Sequence, residues 1–169
     1  MRNASPELKT VQPMAGGKIM AVSSGGGHWV QLMRLKPAFD DLNVFYVTLD
    51  RTAAIDVPGR RFYTIREASR KQKAGFFIAG FQLLTILIRE RPSVVITTGS
   101  APALIAVILA RYLLRAKTIW IDSIANTERM SGSGQQAGKF ADIWLTQWAH
   151  LAEAQNDNVR HPEHWGAVL

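Results

Sequence analysis

One short stretch near the start of the chain limits the fold most. Lys18-Ile19-Met20-Ala21-Val22 ends at Ser23-Ser24-Gly25-Gly26-Gly27, and from Trp29 to Phe39 the residues Trp29, Leu32, Met33 and Leu35 keep helical spacing. This reads as strand, glycine loop, helix. Three consecutive glycines reach backbone conformations closed to other residues and leave the first N–H groups of the helix facing outward. The pattern then recurs. Asn43 to Leu49 is rich in β-branched and aromatic residues and predicts a second strand, and Arg61 to Ile65 a short third. Ala74 to Glu90 has the length of a helix that Pro92 ends; Ser93 to Thr97 is a strand leading into Thr98-Gly99-Ser100 and a helix from Pro102 to Leu114. Lys117 to Ile121 and Ala141 to Thr146 complete the strands. Such alternation predicts an α/β fold, a single Rossmann-like doubly wound domain with a mostly parallel sheet. Residues 18–169 form that domain, and residues 1–17, polar and broken by Pro6, Pro13 and Gly16-Gly17, are expected as a flexible N-terminal extension.

Ligands of such sheets sit beyond the carboxyl ends of the strands. Three loops qualify: Ser23 to His28, Thr97 to Pro102, and Asp122 to Gly134. His28, at the mouth of the glycine loop, and Asp122 are the candidate proton acceptors, with Glu128 a weaker third. Both main candidates have a plainer reading, His28 as a helix cap and Asp122 as a cap or turn residue. Ser131-Gly132-Ser133-Gly134 is expected to be a plain linker. The glycine loop lacks the Gly-Lys-Ser/Thr ending of a P-loop, and Val30 stands where a dinucleotide fingerprint needs Gly or Ala. There is no cysteine, and His161-Pro162-Glu163-His164 lacks a third ligand, so no metal site and no cofactor are expected.

Charge is concentrated. Lys and Arg number 20 against 13 Asp and Glu, a net +7, on a chain 47% hydrophobic and 20% charged, which excludes a disordered basic tail. Residues 1–50 carry +1, residues 51–91 carry +6 and residues 92–169 carry 0. Arg60, Arg61, Arg66, Arg70, Lys71 and Lys73 directly precede the apolar run that begins at Ala74. A helix there has one narrow polar stripe, Gly75, Gln82, Thr85 and Arg89, and must be covered on more than one side. The expected arrangement puts Phe76, Phe77 and Phe81 into lipid and Arg70, Lys71 and Lys73 onto anionic headgroups. The uncharged stretch Ala74 to Ile88 is shorter than the ~20 residues a spanning helix needs. A cytoplasmic protein, peripheral on the cytoplasmic face of the inner membrane, is therefore expected, with nucleic acid the partner disfavoured.

From Lys18 to Leu35 the chain resembles the N-terminal half of MurG-type glycosyltransferases of the GT-B fold. Arg91 to Ser100, Lys117 to Asn126 and Ala141 to Trp148 resemble the PssD subfamily of exopolysaccharide and capsule proteins. That subfamily is similar to the membrane-anchoring subunit of the two-subunit enzyme that adds the second N-acetylglucosamine in eukaryotic lipid-linked oligosaccharide synthesis. The resemblance implies a domain equivalent to the N-terminal half of a GT-B enzyme. Its partner would be a separate catalytic subunit carrying the nucleotide-sugar site, expected to take a UDP-sugar, and its acceptor a polyprenyl-diphosphate-linked glycan. By the same resemblance His28 holds the place of the acceptor-side histidine, Ser24, Gly25, Gly26 and Gly27 line the acceptor, Thr98, Gly99 and Ser100 form a second glycine turn, and Asp122, Ser123 and Asn126 lie on the acceptor-contact loop. A non-catalytic scaffold for the partner and a nucleic-acid-binding Rossmann-like domain are the other readings.

Overall fold

A computed structural model describes residues 17–66, 73–153 and 160–168. The strands are β1 (Ile19–Val22), β2 (Val44–Thr48), β3 (Arg61–Thr64), β4 (Val94–Thr97), β5 (Lys117–Ile121), β6 (Ile143–Thr146) and β7 (Glu163–His164). The helices are α1 (Gly27–Arg34), α2 (Lys73–Glu90), α3 (Ala101–Leu109), α4 (Gly132–Ala137) and α5 (Ala149–Ala152). Among the described residues the sheet is wholly parallel, in the order β3-β2-β1-β4-β5-β6-β7. The expected single α/β domain is present. Apart from Gly17, the expected N-terminal extension lies outside the described residues, as do Arg70 and Lys71.

Both faces of the central strands are buried, as a parallel sheet requires. Along β1 the side chains alternate: Met20 and Val22 join Leu83 and Leu87 of α2 and Val107 of α3 in one core, while Ile19 and Ala21 join Trp29 and Leu32 of α1 in the other. Leu83 and Leu87 are fully buried, and each contributes about 2 kcal/mol through apolar burial.

Three boundaries differ from the sequence expectation. The helix expected from Trp29 to Phe39 stops at Arg34 and resumes as a 3-10 turn, Lys36–Phe39, because Pro37 withholds a backbone donor and disfavours helical geometry before it. α3 runs into a five-residue π turn, Ala110–Leu114, that ends at Arg115 in the left-handed region. The expected linker Ser131 to Gly134 is instead the start of α4, whose N-cap Ser131 accepts a hydrogen bond from Gly134 N at 2.8 Å.

At the amino ends of the strands, Glu90 closes α2 onto the sheet. Its carboxylate is 3% exposed and receives Lys18 Nζ at 2.9 Å, Arg61 Nη1 at 2.9 Å and Tyr63 Oη at 2.6 Å. The Lys18 hydrogen bond, with those from Tyr63 and Arg61, holds the carboxyl down at about 2 from an ordinary 4.5. A depressed carboxyl adds stability above its unfolded pKa, which is lost as pH falls toward the folded value. Glu90→Gln should therefore lose about 2 to 3 kcal/mol in urea unfolding at neutral pH. That difference should shrink as pH drops from 4.5 toward 2. A difference that stays constant across this range would refute the assignment.

Candidate functional site

The strand order reverses between β1 and β4, so α1 leaves on one face of the sheet and α3 on the other, opening a crevice at their carboxyl ends. His28 sits there. Its Nδ1 lies 2.9 Å from the Thr98 carbonyl oxygen, and Thr98 Oγ1 donates to the His28 carbonyl at 2.7 Å. A carbonyl only accepts, so Nδ1 carries the proton and Nε2 bears the lone pair. Nε2 has no hydrogen-bond partner among the described residues.

Gly99 makes this placement possible. Its φ is +116°, and a Cβ there would stand 2.9 Å from His28 Cε1 and 3.0 Å from Nδ1. Ser100 follows at φ 107° and ψ 156°, a conformation ordinarily left to glycine. Its hydroxyl accepts from Ala103 N at 3.3 Å and caps α3. α1 starts behind Gly26, at φ 64°, with no side-chain cap and no acidic residue in its first turn. Its leading N–H groups and its dipole therefore favour an anion.

Asp122 is buried and fully engaged. Oδ1 accepts from Ser131 Oγ at 2.7 Å and Trp120 Nε1 at 3.2 Å; Oδ2 accepts from Ser131 N at 2.8 Å and Asn126 Nδ2 at 3.0 Å. Four donors fill the acceptor sites of a carboxylate. The Asp122 carbonyl takes Gln147 Nε2 at 2.8 Å and Gln31 Nε2 at 3.2 Å, and Gln31 Oε1 accepts Ile124 N at 3.2 Å. Gln31 lies three residues beyond His28 on α1, so one helix carries the histidine and fixes the loop after β5. At Gly134 a Cβ would come 2.5 Å from Asp122 Oδ1.

A cavity of about 260 Å³ joins the three loops, lined by His28 from the first, Ser100 and Ala101 from the second, and Ser123, Ala125, Asn126 and Ser131 to Ser133 from the third. Of the predicted residues, His28, Ser100, Ser123 and Asn126 line it. Thr98 and Gly99 act behind it through His28, Ser24 to Gly27 form the approach to α1, and Asp122 lies beneath, holding the third loop. Sequence reading missed Gln31 and Gln147 and took Ser131 to Gly134 for a linker. A serine ahead of a short helix was a usable signal; the glutamines carried none.

On α2, Phe77 is 80% exposed and Phe81 70%, with Ile78 and Ile88 also exposed, whereas Phe76 is half-buried. Lys73 opens the helix. Among the described residues no helix is long and apolar enough to cross a membrane.

Asp122→Asn places an amide where only acceptors fit. It should cost about 2 kcal/mol in urea unfolding. An unchanged midpoint would mean that the carboxylate is not held by these donors.

The family described as "Oligosaccharide biosynthesis protein Alg14 like" matches residues 59–167. The UDP-N-acetylglucosamine transferase subunit ALG14 of Eremothecium gossypii is 33% identical over 83 residues, covering 46% of this chain and 35% of that protein. Among solved structures, Acinetobacter baumannii MurG superposes with a TM-score of 0.65 at 13% identity, over 83% of this chain and 44% of that one. A putative UDP-N-acetylglucosamine 2-epimerase from Listeria monocytogenes follows at 0.60 and 15%, over 79% and 40%. At such identities the likeness is one of fold. The chain spans about a third of the length of the curated relative it matches.

Proposed function

The chain belongs to the Alg14-like family of oligosaccharide biosynthesis proteins, and on that premise we propose that it is the acceptor-binding, membrane-recruiting subunit of a two-subunit glycosyltransferase. A separate catalytic subunit carries the nucleotide-sugar site, with a UDP-sugar as donor. The acceptor is a polyprenyl-diphosphate-linked glycan of exopolysaccharide or capsule assembly.

The observation that carries this reading is the state of His28. Thr98 fixes its proton on Nδ1 and leaves the Nε2 lone pair at a cavity beside an uncapped helix N-terminus. In the proposed reaction Nε2 takes the proton of the acceptor hydroxyl as that oxygen bonds to the anomeric carbon of the donor. The bond from that carbon to the nucleoside diphosphate breaks, and the diphosphate leaves from the partner's side. The N-terminus of α1 faces the acceptor's own diphosphate. Asp122, with no free acceptor site, is a positioning residue: it sets Ser123, Asn126 and Ser131 around the cavity.

In the complex with the catalytic subunit, His28→Ala should lower kcat at least about a hundredfold while leaving assembly and the KM for the nucleotide sugar unchanged. Undiminished turnover would leave the chain a non-catalytic scaffold.

Membrane recruitment rests on the exposed Phe77 and Phe81 beside the basic segment. The polar stripe expected along α2 does not shield them: Thr85 shares their outward face. Phe77→Ser/Phe81→Ser should reduce cosedimentation with anionic vesicles by about tenfold or more. Equal binding by the two proteins would refute this surface as the membrane contact.

A further inference from the structure

A second cavity, about 620 Å³, opens between the outer edge of β3 and the flank of α2, at the same end of the sheet as His28. Arg51, Arg66, Gln82, Leu49, Phe62 and Tyr63 form its walls. It is separate from the His28 cavity and shares no residue with it.

Two arginines, Arg51 and Arg66, line it. Arg60 donates to the carbonyls of Leu42 and Asp40, Arg61 to Glu90, Arg111 to Asp142, and Arg160 to the carbonyls of Gly138, Ala141 and Asp142. Neither the Arg51 nor the Arg66 guanidinium has an acceptor among the described residues, a state they share with Arg89, Arg91, Arg115 and Arg129, and these two line one cavity together. Asp50, the carboxylate next to Arg51 in sequence, is turned to Thr52, accepting its N at 2.9 Å and its Oγ1 at 2.7 Å, while Glu67, next to Arg66, lies outside the described residues. Gln82 Oε1 accepts Arg66 N at 2.9 Å, which anchors the Arg66 backbone to α2. Gln82 follows directly on Phe81 and lies one turn beyond Ile78, so the cavity borders the exposed apolar residues of α2.

We infer that Arg51 and Arg66 bind the phosphate of an anionic phospholipid headgroup in this cavity. The inference rests on the membrane reading above and deepens it. Guanidinium groups suit phosphate because their planar N–H donors match its oxygens in pairs. With Phe77 and Phe81 in the acyl region, a phosphate at the adjoining arginines lies at headgroup depth, and the carboxyl ends of the strands, His28 included, face the bilayer surface. The site is thus a second anion site that sets how the domain lies on the membrane.

The test is cosedimentation with phosphatidylcholine vesicles with and without phosphatidylglycerol, comparing the wild type, Arg51→Gln/Arg66→Gln and Lys117→Gln/Lys139→Gln. The last pair removes the same charge from exposed positions elsewhere on the domain. The arginine pair should lose about tenfold or more of its partition to phosphatidylglycerol vesicles, and the lysine pair less than about twofold. Equal losses in the two variants would reduce the effect to bulk charge and overturn the inference. So would an arginine variant that partitions as the wild type does. Inorganic phosphate, compared with chloride at matched ionic strength, supplies the other arm. Stabilisation of the wild type by phosphate, lost in the arginine variant while vesicle binding stays intact, would assign the cavity to a free phosphate compound and not to lipid. If the wild type binds neither vesicle, the membrane reading itself fails, an outcome distinct from all of these.

Discussion

Two hydrogen bonds running in opposite directions between His28 and Thr98 hold the site together. A doubly wound sheet opens where its strand order reverses, because the chains leaving β1 and β4 turn to opposite faces. The paired contacts tie the two departing chains across that gap. They also account for the unusual backbone nearby. Gly99 has to lack a side chain for the imidazole to lie against it, and Ser100 is held where serine is disfavoured by about 1 to 3 kcal/mol. Two hydrogen bonds of about 1 kcal/mol each, with the Ser100 cap on α3, offset a cost of that size.

The same economy of attachment extends to the third loop. Asp122 is a carboxylate near a cavity, and a buried acid at such a place is an obvious candidate for a base. Its geometry argues otherwise. Four donors converge on it from a serine hydroxyl, a backbone amide, an asparagine and an indole, and a buried anion is tolerable only with such complete satisfaction. His28 differs in having one nitrogen fixed and the other unmatched. Gln31 links the two residues mechanically, since it projects from the helix that bears His28 and bonds the backbone on both sides of Ser123. A shift of α1 would therefore move His28 and the cavity wall together.

Much of this was legible in the sequence, and the parts that were not share a physical cause. β1, β2 and β4 announce themselves because both faces are buried and the runs are apolar but for a closing threonine in β2 and β4. β7 is two residues long and carries Glu163 and His164, so nothing in its composition marks a strand; it is fixed from outside, by pairing with Leu145 and Thr146. α4 was hidden by its own glycines, of which Gly134 is needed because Asp122 and Ser131 pack where its Cβ would be. The glycine loop and its histidine could be read locally, whereas the role of Asp122 depends on Gln31 and Gln147, 91 and 25 residues away in the chain. Charge was legible as a sum only. Which arginines of the basic quarter are matched to protein acceptors is decided by the fold.

The exposed face of α2 also follows from topology. α3 is equally apolar, yet it lies between α2 and α4 and is covered on both flanks. α2 connects β3, the strand at the edge of the sheet, to β4, so among the described residues it is the outermost helix on its side, packed along α3 on that face. Its inner positions, Ala79, Leu83, Ile86 and Leu87, are buried against the sheet and α3. On a polar helix the outward positions would then need nothing more. Here they are Phe77, Ile78, Phe81 and Ile88, and a helix apolar on most of its circumference demands cover on a second side. Within the described residues the domain provides none. Along the same margin lie Arg51 and Arg66, whose guanidiniums have no acceptor among the described residues, an arrangement that suits the apolar depth and anionic boundary of the proposed membrane contact.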